Sequence, residues 1–209
     1  MSSGVTTKLL LATTNAKKLK ELQDILEDLP VTCLSLCDFP NVRRVEETGK
    51  TFEENAKIKA MGYAAQTGVL TLGEDSGICC DALQGAPGVF SARFCGEFHS
   101  DDANNAKLLE VMQDVPDAKR TAYYESAIAL AEPTKLIGVV RGRVNGIITR
   151  ELLGAGGFGY DPIFFYPPFQ KTFGEVPAAI KHRVSHRGQA LERFRGLLQN
   201  YLKQDGSLR

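Results

Sequence analysis

Apolar positions near the start of the chain follow two different patterns. Leucines recur at helical spacing after the segment ATTNAKK, at Leu19, Leu22, Leu26 and Leu29. This period predicts an amphipathic helix over residues 16–29. The apolar runs on either side, residues 8–13 and VTCLSL at 31–36, are typical of buried strands. The chain is therefore predicted to begin as strand, helix and strand.

The rest of the chain mixes both patterns without a regular repeat. Further helices are predicted over residues 51–68 (opened by the capping box Thr51-x-x-Glu54), 101–115 (capped by Ser100 or Asp101) and 187–202. Extended segments are predicted over residues 69–77, within 85–94 after a Pro-Gly turn, over 120–130 and over 136–148. A short strand is predicted after the Gly-rich loop that begins at 152. The first of these strands is expected to end in a turn at GEDSG. Because strict βαβ alternation is missing, we expect a mixed α/β sheet with a cleft and not a Rossmann fold.

Length and charge limit the classes of protein to which the chain can belong. Its 209 residues fit one domain, which we expect to span residues 1–209 and to fold as two lobes. The formal net charge is zero, so no overall field favours binding to nucleic acid or to an anionic membrane. No apolar run approaches the roughly 18 residues of a membrane span or forms a signal-peptide core. We therefore expect a cytoplasmic protein without nucleic-acid or membrane partners.

The five cysteines, an odd number, fit a reducing compartment. Without a secretion signal, we expect free, buried thiols at Cys33, Cys37, Cys79, Cys80 and Cys95. A metal or redox role for the adjacent Cys79 and Cys80 is disfavoured, because neighbours in a strand point to opposite faces and rarely share a ligand.

The predicted first helix carries lysines in its first turns, at Lys17, Lys18 and Lys20. A helix N-terminus has roughly half a positive charge, so each exposed lysine there costs on the order of 0.3–1 kcal/mol. The same N-terminus offers backbone N–H groups to anions, so a phosphate between these cations makes the arrangement favourable. We interpret the segment as phosphate-binding, through backbone N–H groups and the side chains of Thr13, Thr14, Asn15 and Lys18. A solvated, lysine-rich helix face is the alternative.

Acidic residues lie where a metal ion could bind. Glu46 and Glu47 are in a polar loop, and Glu74 and Asp75 are at the predicted strand end GEDSG. Carboxylates are the hard oxygen ligands that Mg²⁺ prefers, and a polyphosphate with Mg²⁺ needs carboxylates for the metal and cations for the phosphates. Lys59 is a further candidate cation. Ordinary solvated charges are the alternative for these acids and for Lys59.

Five segments in order resemble the inosine triphosphate pyrophosphatase family. They are LATTNAKKLKEL, EETGKTFEENAKIKA, EDSGICCDALQGAPGVFSARFCG, GGFGYDPIFF and SHRGQALERF, which together span nearly the whole chain. The resemblance implies an elongated, mixed α/β sheet flanked by helices, two lobes with a central cleft, and a homodimer. It also implies Mg²⁺-dependent hydrolysis of the non-standard purine nucleotides ITP, dITP and XTP to the monophosphate and pyrophosphate.

The resemblance also assigns roles by position. It implies that Asp75 is the catalytic proton acceptor and a metal ligand, with Glu46 as the second metal ligand and its neighbour Glu47 as the alternative. Glu74 departs from the Asp that many members carry there. The segment implied to bind the triphosphate comprises Thr13, Thr14, Asn15, Ala16, Lys17 and Lys18. The other implied substrate contacts are Ser76, Phe158, Gly159, Tyr160, Asp161, Lys181, His186 and Arg187, and Lys59 is a candidate phosphate cation.

These residues predict a reaction and a base preference. Water attacks the α-phosphorus, Asp75 accepts its proton, and lysines with Mg²⁺ offset the phosphate charge. Donors from His186 or Arg187 would pair with the 6-oxo group of hypoxanthine and xanthine and reject the 6-amino group of adenine. Phe158 and Tyr160 are candidates to stack on the base, with a core role as the alternative for one of them.

Three other functions remain open from the sequence. The same fold could act on other modified nucleotides or on pyrimidine dNTPs. A nucleotide sensor could keep the phosphate-binding segment without turnover, although it would not need the water-activating carboxylate Asp75. An oligomeric structural protein would leave the lysines at the helix start unexplained.

Overall fold

The structure, a computed structural model, describes residues 6–14, 16–96 and 100–206, with the backbone alone at residues 16 and 17. Asn15, one of the predicted phosphate-binding residues, lies outside the described residues. Among the described helices, none combines the length and the apolar character that a bilayer-spanning segment needs.

Strands and helices are distributed along the whole described chain. The strands are β1 Thr7–Leu11, β2 Val31–Ser35, β3 Leu70–Cys80, β4 Thr121–Glu132, β5 Lys135–Ile148, β6 Phe164–Tyr166 and β7 Lys171–Thr172. The helices are α1 Ala16–Leu26, α2 Phe52–Thr67, α3 Asp101–Val111, α4 Ala178–Val184 and α5 His186–Gln204. Short 3₁₀ turns lie between several of these elements.

The strands form one mixed sheet in the order β2-β1-β3-β4-β5-β6-β7. β1 runs parallel to β2 and to β3. β6 pairs antiparallel with both β5 and β7. The sheet neighbours β4 and β5 are connected by residues 133–134 alone, and so short a connection makes them an antiparallel hairpin. The prediction of a mixed α/β fold is therefore confirmed.

The chain divides into two compact units. Unit 1 comprises the described residues of Met1–Asp75, Ala127–Arg141 and Ala190–Arg209; unit 2 comprises those of Ser76–Ser126 and Gly142–Gln189. β3, β4 and β5 each contribute residues to both units. Each unit has an apolar core of its own. The single domain with a cleft between two lobes stays a prediction.

The main core of unit 1 combines β1, α1 and α5. β1 and α1 contribute the buried side chains of Leu9, Leu11, Leu22 and Leu26. α5 contributes the predicted apolar face, namely Leu191, Phe194, Leu198 and Leu202. α1 ends at Leu26 and not at the predicted Leu29, yet Leu29 is buried in the same core. Full burial of such side chains stabilises the fold by about 1.5–3 kcal/mol each, so this core holds α1 and α5 against β1.

Aromatic side chains fill the core of unit 2. The rings of Tyr124, Phe164 and Phe173 pack with centroids 4.6 to 6.5 Å apart. Leu108 of α3 and Met112 just beyond it are fully buried against the same cluster. Aromatic pairs at these distances stabilise by about 0.5–1.5 kcal/mol beyond their area burial. The core thus anchors α3 and β6, and β6 follows the Gly-rich loop in the chain.

The predicted turn at GEDSG is wrong. β3 continues through this segment to Cys80, so Glu74 and Asp75 lie within a strand and not at its end. The first glycine of the segment serves close packing instead of a turn. A Cβ at Gly73 would lie only 2.5 Å from the backbone of Ala56 and of Ala60 in α2. Gly73 therefore lets α2 pack directly on β3.

The extended segment predicted within residues 85–94 is also wrong. Gly88–Arg93 forms a 3₁₀ helix. The Ser91 hydroxyl donates to the carbonyl of Gly88 at 2.6 Å and accepts the N–H of Ile78 at 2.9 Å. These bonds curl the segment against β3, an interaction between distant residues that a local apolar pattern does not reveal.

Two smaller predictions need correction. α3 ends at Val111, earlier than the predicted residue 115, and its N-cap is Ser100, whose hydroxyl accepts the N–H of Ala103. All five cysteines are free, as predicted, but Cys37 and Cys95 are exposed and only Cys79 and Cys80 are classed as buried. Burial raises the pKa of both buried thiols, Cys80 to about 12, so neither is a reactive thiolate at neutral pH.

Two glycine substitutions are expected to change stability in opposite directions. Gly73→Ala forces a methyl group into the backbone of α2, and we expect it to lower the free energy of unfolding by about 1–3 kcal/mol. Gly196→Ala, in α5 with open space around its Cβ position, should raise it by about 0.5–1 kcal/mol. Urea unfolding of both variants beside the wild type measures the two values. A Gly73→Ala protein as stable as the wild type would contradict the close packing of α2 on β3.

Candidate active site

The N-terminus of α2 is fixed by side-chain hydrogen bonds. The Thr51 hydroxyl accepts the N–H of Glu54 at 3.1 Å, which is the first half of the predicted capping box. The Glu54 carboxylate accepts the N–H of Lys50 at 2.6 Å in place of that of Thr51. The helix is followed, as predicted, by Gly68, in the left-handed conformation with φ of 71°. α2 thus holds its polar residues in a defined register against β3.

Asn55 of α2 orients Asp75, the predicted catalytic residue. The buried Asn55 side chain donates from Nδ2 to Asp75 Oδ2 at 3.0 Å. Its Oδ1 accepts the N–H of Gly49 at 2.7 Å. Because both ends of the amide are engaged, the donor must face the carboxylate. Asp75 itself is half-buried within β3.

Two lysines converge on Glu74, the residue before Asp75. Lys59 Nζ donates to the backbone oxygen of Glu74 at 2.8 Å and pairs with the Glu47 carboxylate at 2.9 Å. Lys18 Nζ lies 3.3 Å from Glu74 Oε1. The long side chain of Glu74 therefore reaches the cation of α1. We call Lys18, Glu47, Lys59, Glu74 and Asp75 the unit 1 cluster.

The lysines of α1 differ in their surroundings. Lys20 is 73% exposed and pairs with Asp24 at 2.6 Å, so it belongs to a solvated helix face. The Lys18 side chain is 26% exposed and is directed towards β3. The side chain of Lys17 lies outside the described residues. Lys20 therefore fits the solvated helix face, and phosphate binding by Lys18 stays a prediction.

A buried ion pair supports the Gly-rich loop of unit 2. Lys181 Nζ lies 2.5 Å from Asp161 Oδ2, and the same oxygen accepts the N–H of Phe158 at 2.8 Å. Lys181 also lies 4.2 Å from the centroid of the Phe158 ring, a cation–π contact. The Phe158 ring is 55% exposed, so it is held at the surface of the unit. Burial raises the pKa of Asp161, and the charge of Lys181 opposes that rise.

The other predicted nucleoside contacts of unit 2 are mostly buried. Tyr160 is a core residue whose hydroxyl donates to the Ser91 carbonyl at 2.7 Å. The His186 ring stacks on Tyr124 with centroids 4.6 Å apart. Burial lowers the pKa of Arg187 to about 10, which still leaves it protonated at neutral pH. Of the two aromatic candidates for base stacking, Phe158 is therefore the exposed one.

Comparison with known proteins now identifies the chain. The model of the Ham1 family matches residues 9–197. The chain belongs to the Ham1 family. The resemblance of its five segments to nucleotide pyrophosphatases is thereby confirmed.

The relatives of this Ham1 chain match its sequence over nearly their full length. It is 47% identical to a dITP/XTP pyrophosphatase of Desulforamulus reducens, covering 95% of this chain and 99% of the relative. It is 48% identical to one of Geobacter sulfurreducens, covering 96% and 98%. A solved HAM1 protein of Coxiella burnetii superposes with a TM-score of 0.88 at 41% identity, covering 93% of this chain and 99% of that structure.

The structure also describes the predicted site residues Thr13, Thr14, Ser76 and Glu46 of the Ham1 chain. Thr13 and Thr14 lead from β1 to α1, whose first residue is Ala16, and Thr14 is exposed. Ser76 follows Asp75 on β3 and is half-buried. Glu46 is exposed, and the carboxylate that contacts Lys59 is that of its neighbour Glu47. Which of these two glutamates binds a metal stays a prediction.

Some contacts that organise the Ham1 site were not predicted from the sequence. Asn55 shares a helix face with Lys59 at i,i+4 spacing, which is a signal for proximity but not for the bond to Asp75. Asp101 and Asn105 of α3 contact Gly159, and no local pattern marks that contact. Their spacing is equally typical of a polar helix start.

Proposed function

We propose that this Ham1-family chain hydrolyses non-standard purine nucleoside triphosphates, among them dITP and XTP, to the monophosphate and pyrophosphate. The observation that carries the proposal is the unit 1 cluster, in which Asp75 is oriented by Asn55 next to two lysines. A binding protein needs the cations, but it does not need an oriented carboxylate. The full-length relatives named dITP/XTP pyrophosphatases support the same activity.

The triphosphate is bound by cations that are paired with carboxylates in this structure. Lys18 contacts Glu74, and Lys59 contacts Glu47. These carboxylates keep the two ammonium groups within unit 1 and reduce the cost of concentrating positive charge there. Phosphate oxygens offer stronger, multiply charged acceptors, and the N-terminus of α1 adds backbone N–H groups. Lys18 and Lys59 thus stabilise the negative charge that develops on the leaving pyrophosphate.

Mg²⁺ is part of the proposal, and the donor set of unit 1 fits it. Among the described residues no three His, Cys, Asp or Glu side chains form a ready metal cage. Mg²⁺ does not need one, because it commonly takes one or two carboxylates together with substrate phosphates and water. Asp75 with Glu46, or with Glu47 as the alternative, would hold it. When bound, the metal would supply charge neutralisation at the phosphate oxygens.

The chemical step follows from the position of Asp75. Its carboxylate accepts a proton from a water molecule as the water oxygen forms a bond to the α-phosphorus. The bond from the α-phosphorus to the bridging oxygen breaks, and pyrophosphate leaves with that oxygen and its electron pair. Asn55 holds the Asp75 carboxylate in one orientation, so the general base is positioned before the substrate binds.

Base selection is assigned to unit 2. The exposed ring of Phe158 offers a stacking surface, and Arg187 offers guanidinium donors that stay charged at neutral pH. A 6-oxo purine accepts such donors, whereas the 6-amino group of adenine would leave them unpaired. A site built on buried donors rejects the mismatched base by several kcal/mol. This explains a preference for hypoxanthine and xanthine over adenine.

Product analysis tests the proposed function. Purified protein is incubated with dITP, XTP, dATP, dGTP and dCTP, with Mg²⁺ and with EDTA. We expect dIMP and XMP with pyrophosphate, little turnover of the others, and none in EDTA. Diphosphate with inorganic phosphate as products would contradict attack at the α-phosphorus. Binding without turnover would favour a nucleotide sensor, and preferred turnover of dCTP would favour a pyrimidine nucleotide pyrophosphatase.

Lys18 and Lys20 form a matched pair of variants. Lys18→Ala removes a cation directed at β3, and we expect it to raise KM for dITP roughly 10- to 100-fold, the size of one or two charge-assisted hydrogen bonds. Lys20→Ala removes an exposed cation on the same helix and should leave KM close to that of the wild type. Steady-state kinetics at saturating Mg²⁺ measures both. Equal KM values for the two variants would remove Lys18 from the phosphate site.

Two properties of the whole protein complete the proposal. The homodimer and the cytoplasmic location, both predicted from the sequence, fit an enzyme that removes altered nucleotides from the precursor pool. Sedimentation of the purified chain would decide the first.

A further inference from the structure

Gly159, next to the exposed Phe158, has both of its backbone polar groups held by side chains of α3. Its N–H donates to Asp101 Oδ2 at 2.7 Å. Its carbonyl accepts from Asn105 Nδ2 at 2.8 Å. Gly159 is in the left-handed conformation with φ of 61°, so the chain reverses direction at this contact. We call Asp101 and Asn105 the Gly159 clamp.

The helix geometry makes the clamp rigid. Asp101 and Asn105 are four residues apart, so their side chains lie on one face of α3. Ser100 caps the helix by accepting the N–H of Ala103 at 3.1 Å, which fixes the first turn. Asn105 Nδ2 also donates to the Asp101 carbonyl at 2.9 Å, so the amide is tied to its own helix as well as to Gly159.

The nitrogen and the oxygen of the Asn105 side-chain amide differ in their hydrogen bonding. The side chain is only 1% exposed. Its Nδ2 has two acceptors, whereas its buried Oδ1 has no hydrogen-bond partner among the described residues. A buried polar atom without a partner costs free energy, and an apolar residue of the same size would avoid that cost. The amide donors are therefore the reason for an asparagine at this position.

The backbone at Phe158 is held by Asp161, and the backbone of the next residue, Gly159, is held by the clamp. The N–H of Phe158 donates to Asp161, and the next residue, Gly159, is held at both its N–H and its carbonyl. The Phe158 ring is more than half exposed, so core packing contributes little to its position. The direction of the ring is set by the backbone on which it stands and by Lys181 beneath it.

We propose that Asp101 and Asn105 are positioning residues that set base selectivity by fixing the backbone beneath the Phe158 ring. The proposal rests on the proposed function, in which Phe158 stacks on the purine base. A fixed ring selects by shape as well as by stacking area, and the bases of dITP and dGTP differ only in the 2-amino group of guanine. Loosening the clamp should therefore affect discrimination between dITP and dGTP more than it affects the chemical step.

Kinetics tests the functional half of this proposal. Asp101→Ala and Asn105→Leu remove one arm of the clamp each, and Asp102→Ala removes an exposed carboxylate from the same helical turn. We expect the first two to lower the ratio of kcat/KM for dITP over dGTP about 3- to 10-fold, mainly through KM, the size of one lost hydrogen bond. Asp102→Ala should keep the wild-type ratio. Asp101→Asn should restore part of it, because its amide oxygen can accept the N–H of Gly159.

A fluorescent reporter tests the structural half independently of activity. The chain contains no Trp, so Phe158→Trp introduces a single indole at the ring position. Combining it with Asp101→Ala or Asn105→Leu should lower the steady-state anisotropy of that indole and increase its quenching by acrylamide. Combining it with Asp102→Ala should change neither value. Circular dichroism of each variant confirms that the fold is retained.

The two experiments together decide the proposal. A mobile indole with an unchanged dITP/dGTP ratio would overturn the selectivity role, and an unchanged indole would overturn the clamp itself. If the wild type turns over no nucleotide, the proposed function and the selectivity role both fail, whereas the anisotropy still reports on the clamp. A changed ratio that Asp102→Ala reproduces would also overturn it, since charge alone would then be the cause.

Discussion

Asp75→Asn is expected to reduce kcat for dITP by about 10²- to 10⁴-fold, the usual contribution of a positioned general base. The substitution keeps the size of the side chain and an oxygen that can accept from Asn55, so the orientation within β3 is retained. What it removes is the negative charge that takes up the proton of the attacking water. The affinity for dITP in the absence of Mg²⁺ should change little, because the lysines of the unit 1 cluster remain.

The control for this variant is Asp114→Asn, which neutralises an exposed carboxylate of unit 2. It should have the kcat of the wild type. Burst-free steady-state assays of released pyrophosphate give kcat, and thermal unfolding checks that Asp75→Asn is folded. A folded Asp75→Asn protein with near-normal kcat would contradict the role of Asp75 and would move the general base to another carboxylate of the unit 1 cluster.

The parts of the fold that local patterns determine were predictable from the sequence. α5 was predicted with its buried face because apolar residues recur along it at helical spacing and a helix exposes one face to the core. α2 was predicted from Thr51 to Gly68 because caps are chosen by backbone chemistry within one turn. In both cases the information lies within a few residues of the element.

Other features depend on distant residues, and local patterns cannot show them. GEDSG has the composition of a turn, yet Gly73 is required by the approach of α2, whose residues lie earlier in the chain. In the Gly159 clamp, Asn105 contacts Gly159, which lies 54 positions later in the chain. For the site, the lysines at the helix start indicated Lys18 and the resemblance supplied the role of Asp75. The structure added the contacts that hold them, from Asn55 to Asp75 and from Lys18 to Glu74.

Lys181→Met is expected to lower the free energy of unfolding by about 3–5 kcal/mol at neutral pH, because it leaves the Asp161 carboxylate buried without its cation. Methionine keeps most of the apolar stem, so packing against the Phe158 and Phe173 rings is largely retained and the change isolates the charge. Lys171→Met, which removes an exposed cation from β7 of the same unit, is the matched control and should be close to neutral. Urea unfolding without nucleotide measures both variants.

The pH dependence of the stability lost in Lys181→Met shows whether the loss comes from the broken ion pair or from a packing defect. Burial already raises the pKa of Asp161 above its ordinary value, and without the opposing charge of Lys181 the pKa should rise further. A carboxyl group with a higher pKa in the folded than in the unfolded chain takes up its proton first in the folded state, so lowering the pH towards that pKa favours folding. The stability difference between Lys181→Met and the wild type should therefore narrow as the pH falls from neutral. Acid-sensitive groups common to both proteins, such as Asp28 and Asp38 with their lowered pKa values, cancel in this difference. A difference that stays constant with pH would show that Lys181 stabilises unit 2 by packing and not by its charge.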